Sequence, residues 1–414
     1  MSTELKEIAL SCFNAGLAAA DPYKAVANAL RGRPTHVKGR LVFVALGKAA
    51  GPMMKAALDW ATPQQAILVT NPENKSNLKN VTCLIGDHPT PSERGEIAAA
   101  EVETCLAKAT QDDLILLLLS GGASALVPAP KAPLTLADKV FINDQMLASG
   151  MPIEEVNTVR RALSRLKGGG FLAAALPARV ETLILSDVPS DDPRFIASGP
   201  TVPRSLDEDA EAILKSYGLF DRLASRVKAA ISEPVQPAPP NKHIHIVGSN
   251  SQSVRAMLDA VPDGASLTHM TPPITGYVDD VADGIADLAR SAKQGRVVYL
   301  GGGEPTVVVK GDGKGGRSQQ LTLKVAQLLV GLDRDWVFLA AGTDGRDGPT
   351  DAAGAIVDPQ SLARIKAKNL DPVVELENNN AYAALAASKD LLVTGGTGTN
   401  VGDLYVLILG DTVL

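Results

Sequence analysis

Six consecutive aliphatic residues, Leu114-Ile-Leu-Leu-Leu-Leu119, closed off by Asp113 and Ser120, constrain this chain more than any other feature. The run is far too short to span a bilayer, which takes about 20 apolar residues. It also lacks the polar alternation of a strand with one wet face. It therefore predicts a strand buried on both faces, and such strands belong to largely parallel sheets covered by helices. Related runs occur at 41–46, 66–70 and 182–186, and again at 243–247, 297–300, 306–309, 336–340, 391–394 and 404–409.

Helical signals fill the intervals. Leu5, Ile8, Cys12, Phe13 and Leu17 repeat at helical spacing, and Asp21-Pro22 supplies an N-cap and first-turn proline for a second helix. Thr90-Pro-Ser-Glu93 reads as a capping box with proline at the first helical position, opening a helix to about Ala109. Further helices are predicted over 49–60, 135–149, 152–167, 251–260, 279–292 and 317–330. Strands alternating with helices predict an α/β protein of two domains. These are an N-terminal Rossmann-like, mostly parallel sheet over 1–235 and a C-terminal mixed-sheet domain over 241–414. The Pro-rich stretch Glu233–Asn241 reads as the linker. Gly301-Gly-Gly-Glu-Pro305 is too brief for a crossover, so 297–309 is predicted to be a hairpin and the second sheet mixed.

At 414 residues, with 40 Lys+Arg against 46 Asp+Glu, the chain carries a formal charge of −6. That balance counts against nucleic acid or an anionic membrane as partner. Cys12, Cys83 and Cys105 show no metal-type spacing. Glu4, Lys6 and Glu7 stand where an export signal has basic residues followed by an apolar core, so the cytoplasm is expected.

The chain has 37 Gly but only 7 Phe, 2 Trp and 6 Tyr, and its Gly-rich segments follow predicted strands. They are Gly47-Lys48, Ser120-Gly121-Gly122-Ala123-Ser124, Gly301-Gly302-Gly303, Gly342-Thr343-Asp344-Gly345 and Thr394–Asn400. Ligands of open α/β sheets bind beyond the carboxyl ends of strands, where glycine lets backbone amides approach an anion. Together these loops favour a phosphorylated or otherwise anionic ligand. Gly47-Lys48 is not a Walker A loop, because the Ser/Thr for magnesium is missing, yet Lys48 can place a charge on a phosphate. Gly311-Asp-Gly-Lys314-Gly315-Gly316 matches the dinucleotide-binding pattern, but its hairpin context and Lys314 and Arg317 suit a flexible phosphate clamp better.

Two acidic loops, 186–192 and 342–351, also follow strands; carboxylates there can hold Mg²⁺ or take a proton from a hydroxyl. Asp187, Asp191, Asp344 and Asp347 are the candidates. Cations around phosphate, carboxylates for a metal and a proton, and a planar permanent cation in Arg317 make up the inventory of phosphoryl transfer. The 152–167 helix adds Arg160, Arg161, Arg165 and Lys167.

Gly47-Lys48-Ala-Ala, Ser120–Leu126, Asn157-Thr-Val-Arg-Arg161 with Lys167-Gly-Gly169, and Leu185–Pro189 with Ala197–Thr201 together resemble the bacterial glycerate 2-kinase family. So do Gly311–Gln319, Ala341–Ala352 and Thr397-Gly-Thr-Asn400. This group carries a C-terminal MOFRL domain, here about 297–410, and is often labelled hydroxypyruvate reductase. The resemblance runs in order from about residue 5 to the C-terminus. It implies ATP- and Mg²⁺-dependent phosphorylation of D-glycerate to 2-phosphoglycerate, in a cleft between two α/β domains. Lys48 and Arg317 match the family's cleft cations and Asp187 its acidic residue, with Asp344 the further catalytic candidate. The phosphate- and substrate-binding set comprises Ser120, Gly121, Gly122, Ser124, Arg160, Lys167, Gly302, Gly303, Glu304, Lys314, Gly315, Gly316, Thr343, Thr397 and Asn400. Asp187, Asp191 and Asp347 are the candidate metal ligands. Which of Asp187, Asp191 and Asp344 activates the C2 hydroxyl and which binds Mg²⁺ stays open at this level. Gly170 stands where the family commonly has Arg, leaving Arg160, Arg161 and Lys167 for the substrate carboxylate. A homodimer is the expected assembly, and NAD(P)H-dependent reduction of hydroxypyruvate is the alternative activity.

Overall fold

A computed structural model describes residues 2–235 and 238–410. It contains two six-stranded sheets, each with helices on both faces. The first is built from β1 (Leu41–Leu46), β2 (Gln65–Thr70), β3 (Thr82–Ile85), β4 (Leu114–Leu119), β5 (Arg179–Leu185) and β6 (Ile244–Gly248) in the order β3-β2-β1-β4-β5-β6. The pairs β1/β2, β2/β3, β1/β4 and β4/β5 are parallel. The Leu114–Leu119 run lies between β1 and β5, and its alternate residues Ile115, Leu117 and Leu119 join Val42, Val44 and Leu46 in one core. The helix Glu93–Leu106 covers that face with Ala98, Ala99, Val102 and Leu106. A mainly helical layer from 134–163 and 210–231 has a core of its own, with Ile142, Met146, Val156, Val159 and Leu214 among its members.

The second sheet contains β7 (Ser266–His269), β8 (Val297–Gly303), β9 (Trp336–Gly342), β10 (Gly354–Val357), β11 (Leu391–Leu392) and β12 (Asp403–Leu409), in the order β11-β10-β9-β12-β8-β7. It is mixed, because β12 runs antiparallel to both β8 and β9 while β7 and β8 are parallel. Period-two alternation sends Tyr405, Leu407 and Leu409 to one core with Phe338 and Ala340, and Leu404, Val406 and Ile408 to another. The predicted hairpin over 297–309 does not form. Both edges of β8 are already taken, by β12 and by β7, and Thr306 makes an isolated bridge to Tyr277 instead.

The chain also divides differently from the sequence expectation: Pro22–Val247 form one compact unit, and Met1–Asp21 with Gly248–Leu414 form the other. The first helix, Ser2–Ala19, buries Leu5, Ala9, Cys12 and Phe13 against Val337, Leu339, Leu404 and Val406 of the second sheet. Gly16 makes the approach possible, since a Cβ there would lie 2.8 Å from both Leu404 Cδ1 and Met257 Cγ. Lys6 adds a 2.6 Å ion pair to Asp358. The later boundary follows from β6, which completes the first sheet: Thr182 N donates to His243 O at 2.8 Å. The Pro-rich stretch thus precedes the last strand of its own unit, and its Gln236 and Pro237 lie outside the described residues.

The helix expected from Thr90 begins at Glu93, with Ser92 as the extended N-cap. The Ser92 hydroxyl donates to Asp87, so Thr90 and Pro91 stay in the preceding loop. Among the described residues no helix is long and apolar enough to cross a membrane. Phe13→Ala, which empties a fully buried site, is expected to cost about 3–5 kcal/mol in urea unfolding. Hydrogen exchange should rise in β9 and β12 while β1 and β4 stay protected, which checks the unit to which the first helix belongs.

Candidate active site

The order β3-β2-β1-β4-β5-β6 reverses direction between β1 and β4, the position where open α/β sheets bind ligands beyond their strand ends. Two of the predicted loops meet there. Ser120 N donates to Leu46 O at 2.9 Å, Lys48 N to Gly121 O at 2.9 Å, and Ala49 N to Ser120 Oγ at 3.1 Å. Gly47 adopts φ +127°, and a side chain on it would collide with Ser120, so glycine is required for the crossing. Gly122, at φ +85°, lies against Lys48 and His88: its Cβ would be 3.2 Å from Lys48 Cγ and 3.3 Å from His88 Cδ2. Lys48, Ser120, Gly121 and Gly122 are thereby gathered at one strand edge, as expected from sequence.

Ser124 continues this edge. Lys167 Nζ donates to Ser124 O at 2.7 Å and to Ser124 Oγ. Ser124 Oγ lies 3.3 Å from Ser198 Oγ, which donates to Asn157 Oδ1 at 2.9 Å. Lys167 is 6% exposed, and burial, with Lys139 and Arg160 nearby, pulls its pKa well below the usual lysine value. Arg160 donates through Nε to Asn143 Oδ1 at 3.0 Å. Arg161, the third candidate for a substrate carboxylate, is committed elsewhere. Its guanidinium donates to Val202 O at 3.1 Å and Pro203 O at 2.9 Å and pairs with Glu208 at 3.0 Å. Asp187 and Asp191 lie half-buried on the loop after β5, the neighbour of β4.

The second unit brings another set to one end of its sheet. Asp403, first residue of β12, stands in register with Gly303 of β8 on one side and Gly342 of β9 on the other. Arg317, first residue of the helix Arg317–Leu328, grips it with two hydrogen bonds, Nε to Oδ2 at 2.6 Å and Nη2 to Oδ1 at 3.0 Å. Its Nη1 pairs with Glu304 at 2.6 Å, and Tyr405 donates to Asp403 Oδ2 at 3.2 Å. Burial alone would lower the Arg317 pKa, but the charge and hydrogen bonds of Asp403, then the charge of Glu304, carry it upward. Asp344 turns back on this end and accepts from Arg346 N at 3.0 Å.

Several other predicted residues do different work. Asp347 places its carboxylate on the N-terminus of the Arg317 helix, accepting from Ser318 N at 3.1 Å and Gln319 N at 2.8 Å. Gly302 and Gly303 end a strand instead of forming a loop. A Cβ on Gly302 would meet the Asn250 carboxamide and one on Gly303 the Ile274 backbone, so close packing requires these glycines. Thr343 Oγ1 donates to Gly402 O at 2.7 Å and Thr397 Oγ1 to Thr343 O at 2.5 Å, joining two loops, with Asn400 half-buried beside them.

The 311–316 loop is not the flexible clamp expected. Asn379 Oδ1 accepts from Lys310 N at 2.7 Å and Gly311 N at 3.0 Å, Asn378 Oδ1 from Asp312 N at 3.2 Å, and Asn380 Oδ1 from Lys314 N at 3.0 Å. Three successive asparagines therefore occupy the amides of Lys310, Gly311, Asp312 and Lys314. Lys314 Nζ sits 4.7 Å above the Tyr382 ring, and Gly315 and Gly316 lead into the helix. Asp403, Ser198, Asn143 and Asn378–Asn380 were missed from sequence. Asp403 left one trace, a carboxylate opening an otherwise apolar strand; the others are ordinary polar residues whose partners are remote in sequence.

Residues 8–232 match the family described as a domain of unknown function, DUF4147, and residues 297–403 match the MOFRL family. Glycerate 2-kinase of Pyrococcus horikoshii is 34% identical, covering 99% of this chain and 98% of that protein. The crystal structure of glycerate kinase from Thermotoga maritima superposes with a TM-score of 0.86 at 34% identity, over 98% of this chain and 100% of that one. This chain belongs to the glycerate 2-kinase family. A relative from Agrobacterium vitis, 38% identical over 98% of this chain and 94% of its own length, bears the name putative hydroxypyruvate reductase.

In this glycerate 2-kinase family member, the dinucleotide-like 311–316 loop lies between an internal strand of the mixed sheet and the Arg317 helix, outside a βαβ unit, with the amides of Gly311, Asp312 and Lys314 occupied, so its pattern match carries no reductase argument. Among the described residues no three His, Cys, Asp or Glu side chains converge as a metal cluster. Mg²⁺ takes one or two carboxylates together with phosphate oxygens, and so does not need one. Asp347 fits poorly, because both its oxygens already accept helix amides.

Burial, then the nearby charge of Asp403, raises the Asp347 carboxyl from 3.8 to about 7, against the pull of the Gln319 and Ser318 amides. Between those values the folded chain keeps a proton that the unfolded chain releases, so this group stabilises at low pH and loses that contribution as pH rises through 7. Asp347→Asn should therefore gain stability relative to the parent chain between pH 4 and 7, by on the order of a few kcal/mol. Urea titrations across that range check the sign.

Proposed function

We propose that this kinase transfers the γ-phosphoryl group of ATP to the C2 hydroxyl of D-glycerate, giving ADP and 2-phosphoglycerate. The observation that carries the reading is the set of cations and hydroxyls at the β1/β4 switch point: Lys48, Ser120, Ser124, Lys167 and Arg160. Desolvated cations bind anions far more strongly than solvated ones, and a three-carbon acid offers a carboxylate and a hydroxyl in place of apolar surface. The names glycerate 2-kinase, of the Pyrococcus horikoshii relative, and D-glycerate 2-kinase, of one from Thermotoga maritima, support D-glycerate as acceptor and its 2-position as the site.

In the transfer, a bond forms between the C2 oxygen and the γ-phosphorus, and the bond from that phosphorus to the β,γ-bridging oxygen breaks. The hydroxyl proton passes to Asp187, which follows β5 at the edge shared with the Ser120 loop. Lys48 neutralises phosphate charge, while Lys167 and Arg160 hold the acid. Mg²⁺ would be held by Asp191 together with phosphate oxygens and would neutralise charge on them. For Arg317 the role we assign is that of a cation matched to phosphoryl charge, its guanidinium plane fixed by Asp403 and Glu304.

Incubation with ATP, Mg²⁺ and D-glycerate, followed by ³¹P NMR, is expected to show 2-phosphoglycerate. A 3-phospho product overturns the regiochemistry, and NADH consumption with hydroxypyruvate without a phosphoester overturns the kinase. Arg317→Ala should lower kcat by about 10²–10³, the usual loss for one preorganised electrostatic donor. Arg317→Lys, which keeps the charge but loses the fork, should recover folding and only part of the rate.

A further inference from the structure

Lys139 belongs to none of the motifs, yet its ammonium Nζ is buried and has no hydrogen-bond partner. It lies on the helix Leu136–Ala148, one turn before Asn143, and residues four apart share a helix face. Asn143 is the side chain that receives Arg160 at 3.0 Å, so Lys139 and Arg160 are brought to the same patch. Lys167, held on Ser124 at 2.7 Å, feels the charges of both. The neighbouring cations are neutralised differently: Arg165 pairs with Glu103 at 2.7 Å and Arg161 with Glu208 at 3.0 Å. Among the described residues no carboxylate is in ion-pair contact with Lys139, Arg160 or Lys167. Glu96 is the acidic group whose charge acts on Lys139, and burial, with Arg160 and Arg165 nearby, still brings the Lys139 pKa down to about 8.

A buried ammonium without a partner is costly, and three desolvated cations together are more so. Such an arrangement persists where a ligand supplies the missing charge. We infer that Lys139 completes, with Arg160 and Lys167, a buried seat for an oxyanion of the ligand. Naming that oxyanion rests on the kinase reading above, which gives Arg160 and Lys167 to the acid: it is the carboxylate of the 2-hydroxy acid, and a phosphate of the nucleotide is the outcome that would reassign the seat. Lys139 supplies the charge that the two motif residues, occupied by Asn143 and Ser124, do not supply alone.

Calorimetric titration without turnover tests the seat. The full chain, Lys139→Met and Lys139→Arg are each titrated with D-glycerate and, separately, with a non-hydrolysable ATP analogue. Lys139→Met is expected to weaken D-glycerate binding by about tenfold or more, the scale of one lost charged hydrogen bond, while Lys139→Arg retains most of the affinity. Loss confined to D-glycerate identifies the carboxylate, and loss confined to the analogue reassigns the seat to a phosphate. Unliganded Lys139→Met should melt at or above the parent chain, because an unpaired buried charge has been removed. If Lys139→Met fails to fold, Lys139→Gln takes its place. Affinities for both ligands within twofold of the parent overturn the seat. Retained binding loss in Lys139→Met alongside a negative ³¹P result leaves the seat standing and removes only the kinase reading.

Discussion

The junction of β1 and β4 is the constraint on which the first unit depends. Strand order reverses there, so the chain leaving β1 and the chain leaving β4 separate and expose a crevice at their carboxyl ends. The two loops are then tied across it, through Lys48 N to Gly121 O and Ala49 N to Ser120 Oγ, at 2.9 and 3.1 Å. These bonds explain why the positions are glycine and serine. One side chain more at Gly47 would collide with Ser120, and a serine hydroxyl satisfies an amide that the separating strands leave unpaired.

The two units handle buried charge in opposite ways. In the second, Arg317 is matched by Asp403 and Glu304, so its charge is neutralised within the unit. Its guanidinium plane is fixed by those two carboxylates. In the first unit, Lys167 donates to Ser124, Arg160 to Asn143, and Lys139 to nothing described. Positive charge is left in excess where the sheet opens. Matched charge holds geometry, whereas unmatched charge binds.

Much of the fold was legible because burial writes itself into sequence. Strands with two dry faces read as aliphatic runs, and Leu114–Leu119 and Leu41–Leu46 are central strands as those runs demand. Lys48 and the Ser120–Ser124 loop were legible too, since they follow such strands directly. The hairpin at 297–309 was misread because nothing local announces that β12, a hundred residues later, occupies the edge of β8. The 311–316 loop is fastened for the same reason in a way no local pattern announces, by Asn378–Asn380 from far along the chain. Asp403 and Lys139 escaped because a lone charged residue in an apolar strand or an amphipathic helix has no local signature of its partners.

Sequence alone determined the α/β class, the buried strands, the glycine turns beyond them and the family, all properties carried by neighbouring residues along the chain. Tertiary structure alone decided that the first helix belongs to the second sheet and that β6 closes the first. It also decided which charges are neutralised. Arg161 and Arg160 are adjacent in sequence, yet one meets a carboxylate and two carbonyls while the other meets an asparagine beside an unpartnered lysine. Coulomb interactions and desolvation depend on distance and surroundings in space, and those are set only when remote segments pack.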